Sequence, residues 1–169
     1  ATSYNGNLYV AGGRQSNSDT DCNGTASVTC SDVQYAPINN GGSGATGSYS
    51  AGTNLGTARF YVGNAVVSNG YIFVPGGCSS GAPNCTTQLS TVERAAINAD
   101  GTIGSWSNTT ASISGTRSQH SVTAYNGYVY IISGCNGVSG GNCNSGTASI
   151  TRGQVTAAGD ITSWTDQTV

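Results

Sequence analysis

Tyr125-Asn126-Gly127-Tyr128-Val129-Tyr130-Ile131-Ile132-Ser133-Gly134 is the stretch of sequence that decides the fold. Asn-Gly supplies the two positive-φ positions of a type I′ hairpin turn. The β-branched and aromatic residues after it favour a packed strand, which the glycine ends. The same pattern begins at Asn5-Gly6 and at Asn69-Gly70, so the Asn-Gly pairs lie 64 and then 57 residues apart. The chain is therefore predicted to contain three copies of one β-unit.

Three further strands are predicted around each repeated strand. One precedes the turn, at 1–4, 65–68 and 122–125. Another follows with period-2 alternation, at 32–38, 91–97 and 150–155. A last strand follows a second turn (39–44, 98–101 and 157–160) and surrounds an aromatic residue, which is Tyr49, Trp106 and Trp164 in the three copies. Each unit is thus expected to be four antiparallel strands.

The predicted fold class is all-β, with three four-stranded units in one domain at about 1–53, 57–112 and 116–169. No window shows helical periodicity. Self-similarity at a fixed period of this length is typical of β-propellers, in which each four-stranded meander is a blade. A β-sandwich with accidental internal similarity is the alternative.

The composition describes an ordered protein with a neutral, polar surface. Only 7% of the 169 residues are charged, 26 are glycine, and the net charge is -2. Such a surface has no strong field to attract nucleic acid or an anionic membrane. No run approaches the roughly 18 apolar residues of a membrane span. We therefore expect neither a nucleic-acid partner nor a membrane span in this chain.

Six cysteines form three close pairs, one pair after each repeated strand. They are Cys22 and Cys30, Cys78 and Cys85, and Cys135 and Cys143. Zinc sites usually have Cys-x2-4-Cys spacing with His or further Cys nearby, whereas these pairs are seven or eight positions apart and the chain has a single His, so a disulfide within each loop is favoured. Closing such a loop stabilises by about 2.5 kcal/mol. Disulfides indicate an extracellular or cell-surface location.

The units resemble kelch-type β-propeller repeats over essentially the whole chain. In that family a Gly-Gly pair ends the second strand, as at Gly12-Gly13 and Gly76-Gly77, and a Trp lies in the fourth, as at Trp106 and Trp164. Arg117-Ser118-Gln119-His120-Ser121 is similar to a lead-in of many kelch blades. The third copy departs with Ser133-Gly134-Cys135, and the first has Tyr49 in place of Trp.

The resemblance implies three blades of a secreted or cell-surface, bacterial-like variant with one cysteine pair in each blade. Arg59 and Arg117 occupy repeated positions and are expected to be structural. Kelch-like propellers include enzymes, lectins and scaffolds, so the resemblance implies the fold more than the function.

Three blades are fewer than the four to eight that close a propeller. The short first strand, the absence of an initial Met and the end at Val169 favour a segment of a longer propeller. Self-association is the alternative, because two chains would supply six blades.

The candidate chemical groups favour structural roles. His120 has no second histidine, which the copper site of galactose oxidase, an enzyme with a kelch-type propeller, requires. We expect His120 to hydrogen-bond the backbone of a neighbouring blade. Residues 100–106 differ in spacing from the Asp-box of sialidases and fit a hairpin turn. Asp19, Asp21 and Asp32 could bind calcium, but solvated loop acids are favoured. No catalytic, metal or cofactor residue is predicted.

Two sets of equivalent residues, at 9, 73, 130 and at 7, 71, 128, could either bind a ligand or pack between blades. The sequence favours a non-enzymatic extracellular module for adhesion, recognition or assembly of a surface appendage, with protein or glycan partners. Its cysteine loops (12–31, 76–90 and 134–147) are expected to share one rim. The alternative is part of a secreted carbohydrate-active enzyme or lectin whose active site lies in missing blades.

Overall fold

The computed structural model describes residues 1–14, 29–38, 44–139 and 141–168, and in this part of the chain the fold is all-β. Alternating apolar and polar residues account for some of the strands, and continuous runs of β-branched and aromatic residues account for others. Their bounds are β1 Thr2–Tyr4, β2 Asn7–Arg14, β3 Thr29–Pro37, β4 Ser50–Ala51, β5 Val66–Ser68, β6 Tyr71–Pro75, β7 Cys78–Ser80, β8 Thr87–Gln88, β9 Val92–Ala96, β10 Ser107–Asn108, β11 Ser121–Tyr125, β12 Tyr128–Ile132, β13 Cys135–Ser139, β14 Asn142–Gly146, β15 Ser149–Gln154 and β16 Trp164–Thr168.

The strands form three four-stranded antiparallel sheets and two small hairpins. The first sheet has the order β1-β2-β3-β4, the second β5-β6-β9-β10 and the third β11-β12-β15-β16. The hairpins β7-β8 and β13-β14 are inserted between the second and third strands of the second and third sheets. None of the sheets formed by the described residues closes on itself.

The Asn-Gly turns have the predicted conformation. Asn126 has φ 48° and Gly127 φ 77°, and the other two turns are alike, with Asn5 at 45° and Asn69 at 51°. Positive φ at both central residues defines the type I′ turn, whose twist matches that of the flanking strands. Each turn therefore joins the first two strands of its sheet.

Several boundaries differ from the prediction. In the first sheet, β2 continues through Gly12 and Gly13 to Arg14, and β3 begins at Thr29 instead of residue 32. The last strand of the first and second sheets begins just after the aromatic residue, at Ser50 and Ser107, while β16 begins at Trp164 itself. The second and third cysteine segments were expected to be loops, but each contains a hairpin of two short antiparallel strands.

The three sheets stack face to face around two apolar cores. On β6, Ile72 and Val74 point toward the first sheet, whereas Phe73 between them points toward the third. We call the side of each sheet that carries Tyr9, Phe73 or Tyr130 its exit face, and the side that carries Val10, Val74 or Ile131 its entry face. The exit face of the first sheet packs on the entry face of the second, and the exit face of the second on the entry face of the third.

Candidate functional site

The candidate site is the rim made by the two disulfide hairpins, which follow the glycines that end β6 and β12. Cys78 is bonded to Cys85, and Cys135 to Cys143, so each bond ties the two arms of one hairpin together. Both hairpins have bulged registers, so their backbone pairing is irregular and the covalent link adds a further constraint on their shape.

The two hairpins lie side by side. Cys85 forms a backbone bridge with Gly141, and a Cβ added to Gly141 would lie 2.3 Å from the Cβ of Asn84. Cys78 and Cys85 are buried with Phe60 in a small core that Val138 of the other hairpin also touches. The hairpins therefore form one continuous surface.

Gln88 fastens this rim to the third sheet. Its amide nitrogen donates to the Ser118 hydroxyl at 2.7 Å and to the Cys135 carbonyl at 2.9 Å. Its amide oxygen accepts from the Thr116 hydroxyl at 3.4 Å. One side chain from the β7-β8 hairpin thus holds the segment that leads into the third unit.

The exposed part of the rim is polar and uncharged. Segments 76–90 and 134–147 contain no Asp, Glu, Lys, Arg or His. Every residue of β14 is exposed, so Asn142, Asn144 and Ser145 offer amide and hydroxyl groups to solvent. These groups both donate and accept hydrogen bonds, which suits ligands rich in hydroxyl or amide groups.

Tyr61 stands at the base of the rim with its ring orientation set. Its hydroxyl donates to the Pro83 carbonyl at 3.0 Å, its ring packs on Phe60, and the residue is 39% exposed. Tyr61 has φ 50°, a conformation that a bulky residue adopts only under constraint from its surroundings. The Gln119 N–H, which donates to its carbonyl at 2.8 Å, is part of that constraint.

The glycine pairs lie where the backbone of one unit contacts the backbone of the next. The N–H groups of Gly13 and Gly77 donate to the carbonyls of Arg59 and Arg117, both at 2.8 Å. A Cβ at Gly12 would lie 2.6 Å from the Arg59 oxygen, and one at Gly76 2.3 Å from the Arg117 oxygen. The first glycine of each pair is thus required by close approach of the neighbouring backbone.

The third copy has no such contact with an arginine carbonyl within the described chain. Ser133 takes the position of Gly12 and Gly76 with φ 52°, and Gly134 follows it with φ 109°. Ser133 is exposed. A side chain fits there because no arginine carbonyl from a following unit covers it within the described chain.

Arg59 is fully buried in an ion pair that the sequence analysis did not identify. Its guanidinium lies 2.6 Å from the carboxylate of Glu93 and donates to the carbonyls of Val74 and Gly76. The same carboxylate accepts from the N–H groups of Gly56 and Thr57 at 2.7 and 2.8 Å. Burial lowers the pKa of Arg59, and Glu93 opposes this shift.

This network locks the chain segment that crosses from the first to the second sheet. The sequence does contain a signal for this ion pair. Glu93 is one of the few charged residues in the chain, and it lies within a predicted strand, between Val92 and Arg94. Arg117 is the equivalent residue, and its guanidinium donates to the Ser133 carbonyl at 3.2 Å. Burial lowers the pKa of Arg117, which Asp166 partly offsets.

His120 is buried between the second and third units, where it packs against backbone. Its ring lies against Gly76 and its backbone against Gly63 and Gly134. Burial, and then the charge of Arg117, lower its pKa to about 4, while the Pro75 carbonyl opposes the shift in part. Neither ring nitrogen forms a hydrogen bond of good geometry in the described part of the chain, which differs from the prediction.

The two tryptophans anchor the connections between sheets. The indole N–H of Trp106 donates to the Thr53 carbonyl at 2.7 Å, and that of Trp164 to the Ala111 carbonyl at 3.1 Å. Tyr49, at the same position in the first unit, is 48% exposed. The aromatic position therefore joins a unit to the segment that enters it.

Residues of both equivalent sets pack between sheets where a following sheet is present. Tyr9 and Phe73 are fully buried, and Tyr71 packs on the second core. The Tyr9 hydroxyl donates to the Gly101 carbonyl at 3.0 Å, in the second turn of the next unit. At these three positions the packing interpretation holds, and the ligand-binding one does not.

The remaining candidate groups include turn residues and possible metal ligands. Asp100 accepts from the hydroxyl and N–H of Thr102, which lowers its pKa and makes it part of the turn. Cys22, Asp19 and Asp21 lie outside the described residues, although Cys30 is disulfide-bonded. Within the described ranges, no group of three His, Cys, Asp or Glu side chains could hold a metal ion.

Comparison with known proteins adds no family assignment. No protein-family model matches the chain, and no curated protein matches it. The described residues include no helix long and apolar enough to cross a membrane.

Proposed function

We propose that this chain is a non-enzymatic, extracellular recognition module built on kelch-like β-propeller blades, which binds a protein or glycan through the rim of its disulfide hairpins. The observation that carries the proposal is the joined, uncharged surface formed by the two hairpins. A rigid scaffold that presents loops of differing sequence is a common arrangement for binding.

The blade interpretation is supported by how the sheets converge. The first strand of the second sheet, β5, contacts the first strands of both neighbours, β1 and β11. First strands that meet in this way are expected when blades are arranged around one axis. The backbone contacts of the glycine pairs and the indole hydrogen bonds of the two tryptophans recur at equivalent positions, which also favours a repeated blade.

An extracellular location is supported by the disulfides. Two bonded pairs are compatible with an oxidising compartment, where such bonds persist. Intact mass measured with and without reductant after alkylation tests this point. Six freely alkylated thiols in protein purified without reductant would contradict the proposed location.

The binding role is tested with exposed side chains of β14. We expect the triple variant Asn142→Ala, Asn144→Ala and Ser145→Ala to lose binding at least tenfold on an array of neutral and acidic glycans and immobilised extracellular proteins. The matched control is Ser107→Ala with Asn108→Ala, on the exposed edge strand β10. Binding that survives the triple variant would contradict the role of the rim, and turnover of a glycan would favour an enzyme.

A further inference from the structure

Two uncovered sheet faces lie at opposite ends of the stack, and they are the two halves of one kind of interface. In both internal interfaces, an exit face packs on the entry face of the next sheet. The exit face of the third sheet and the entry face of the first have no such partner in the described chain. The repeat therefore allows each face to be compared with covered equivalents.

On the exit face of the third sheet, side chains are less buried than their equivalents in the second sheet. Tyr130 is only partly buried, whereas Tyr9 and Phe73 are fully buried. Arg152 lies over the ring of Tyr128 and is exposed. Its equivalent Arg94 lies over Tyr71 and donates to the Ala158 carbonyl of the next unit.

On the entry face of the first sheet, the same comparison gives the same result. Val10 is 38% exposed, whereas the equivalent Val74 and Ile131 are fully buried. Leu8 is partly exposed, and its equivalents Ile72 and Val129 are fully buried. Each face thus presents the aromatic or aliphatic side chains that form the interior of an internal interface.

We propose that the exit face of the third sheet binds the entry face of the first sheet of a second copy, head to tail. The argument is continuity with the internal interfaces, since each open face is of the type that covers the other. Two copies would bring six sheets together, within the four to eight that close a propeller. A head-to-tail contact closes into a ring when its rotation allows.

Two differences make this interface weaker than the internal ones. An arginine carbonyl lies close to Gly12 and to Gly76, whereas Ser133 has a Cβ at the equivalent position. That close backbone contact is therefore not formed at this interface. Arg94 also lies 3.7 Å from Asp160 of the next unit, whereas the equivalent turn of the first unit, 39–44, contains no acid for Arg152. The association is therefore reversible and depends on protein concentration.

Sedimentation velocity between about 1 and 100 μM tests the proposal with two variants. Tyr130→Glu places a charge on the exit face and Val10→Glu on the entry face, and each should weaken self-association by at least a hundredfold. Ser114→Glu, at an exposed position in the segment between the second and third sheets, is the control and should associate like the wild type. Far-UV circular dichroism and thermal unfolding establish that all variants are folded.

The decisive sample is an equimolar mixture of the two variants. Val10→Glu keeps a normal exit face and Tyr130→Glu a normal entry face, so the mixture should form a dimer with one intact interface although each variant alone is monomeric. A wild type that stays at 16.9 kDa at 100 μM would overturn the proposal. So would a Val10→Glu variant that still dimerises, or a wild-type mass that grows beyond twice that of the chain.

Discussion

Gly76 allows the backbones of two units to come close together, because it has no side chain. Its φ is 56°, and an added Cβ would lie 2.3 Å from the Arg117 carbonyl oxygen. We expect Gly76→Ala to lower the free energy of unfolding by about 3 kcal/mol, because backbone strain and overpacking add. Urea denaturation followed by tryptophan fluorescence measures the loss.

Gly6→Ala is the matched control for this prediction. Gly6 also has positive φ, at 73°, but a Cβ there would have no neighbour within 4 Å. Only the strain of the left-handed conformation remains, so the expected loss is about 1 kcal/mol. Equal losses in the two variants would show that the close approach at Gly76 has no energetic importance.

His120 makes stability depend on pH. Its pKa is about 4 in the folded protein, against about 6.5 when unfolded. Below pH 6.5 the unfolded chain takes up a proton that the folded protein does not, so stability falls as pH decreases to 4. The expected loss over this window is about 3 kcal/mol.

Urea unfolding at several pH values, compared between wild type and His120→Gln, isolates this contribution. The variant has no imidazole to titrate and should lose much less stability between pH 6.5 and 4. Asp100 and Asp160 have pKa values below the ordinary 3.8, so their stabilising contributions are lost only at still lower pH. Parallel profiles for the two proteins would contradict the buried, neutral state of His120.

At the scale of elements, the two disulfide hairpins differ in how deeply they are buried. Cys78 and Cys85 are both buried, whereas Cys143 lies on an exposed strand. Replacing either pair by alanine removes a loop constraint worth about 2.5 kcal/mol. The Cys78→Ala, Cys85→Ala variant should lose about 1 kcal/mol more, because it also removes packed sulfur. Thermal unfolding measures the difference.

Reductant provides the control for the hairpin prediction. It should lower the melting temperature of the wild type, and should have its smallest effect on a variant in which both pairs are replaced. If the two double variants have the same melting temperature, the small core around Phe60 contributes no stability.

These hairpins were also the least predictable elements of the described chain. Segments 76–90 and 134–147 are rich in Ser, Gly, Asn and Thr, a composition with little strand preference. Their pairing depends on bonds between residues of different segments, such as the bridges from Phe60 to Cys78 and from Ser118 to Cys135. The spacing of the cysteines predicted the covalent link, and the tertiary contacts determined the hairpin.

At the scale of the whole molecule, the second sheet is shared between two cores. Ile72 and Phe73 are adjacent on β6, yet they pack on different neighbours. We expect Phe73→Ala to cost about 3–5 kcal/mol and to loosen the third sheet more than the first. Hydrogen exchange should therefore rise more in β12 than in β2.

Ile72→Ala is the mirror-image variant for hydrogen exchange. It should raise exchange in β2 more than in β12, because Ile72 belongs to the core shared with the first sheet. If both variants raise exchange equally in the two strands, the stack unfolds as one cooperative unit rather than sheet by sheet.

The sequence by itself determined the all-β class, the type I′ turns and the four-stranded antiparallel units, because Asn-Gly pairs and alternating apolar residues act through local geometry. Only the tertiary structure decided which side of each strand meets a neighbouring sheet. It also placed Glu93 against Arg59 and joined the two hairpins into one rim. Those contacts link residues distant in sequence, and their energies depend on burial, which no local pattern specifies.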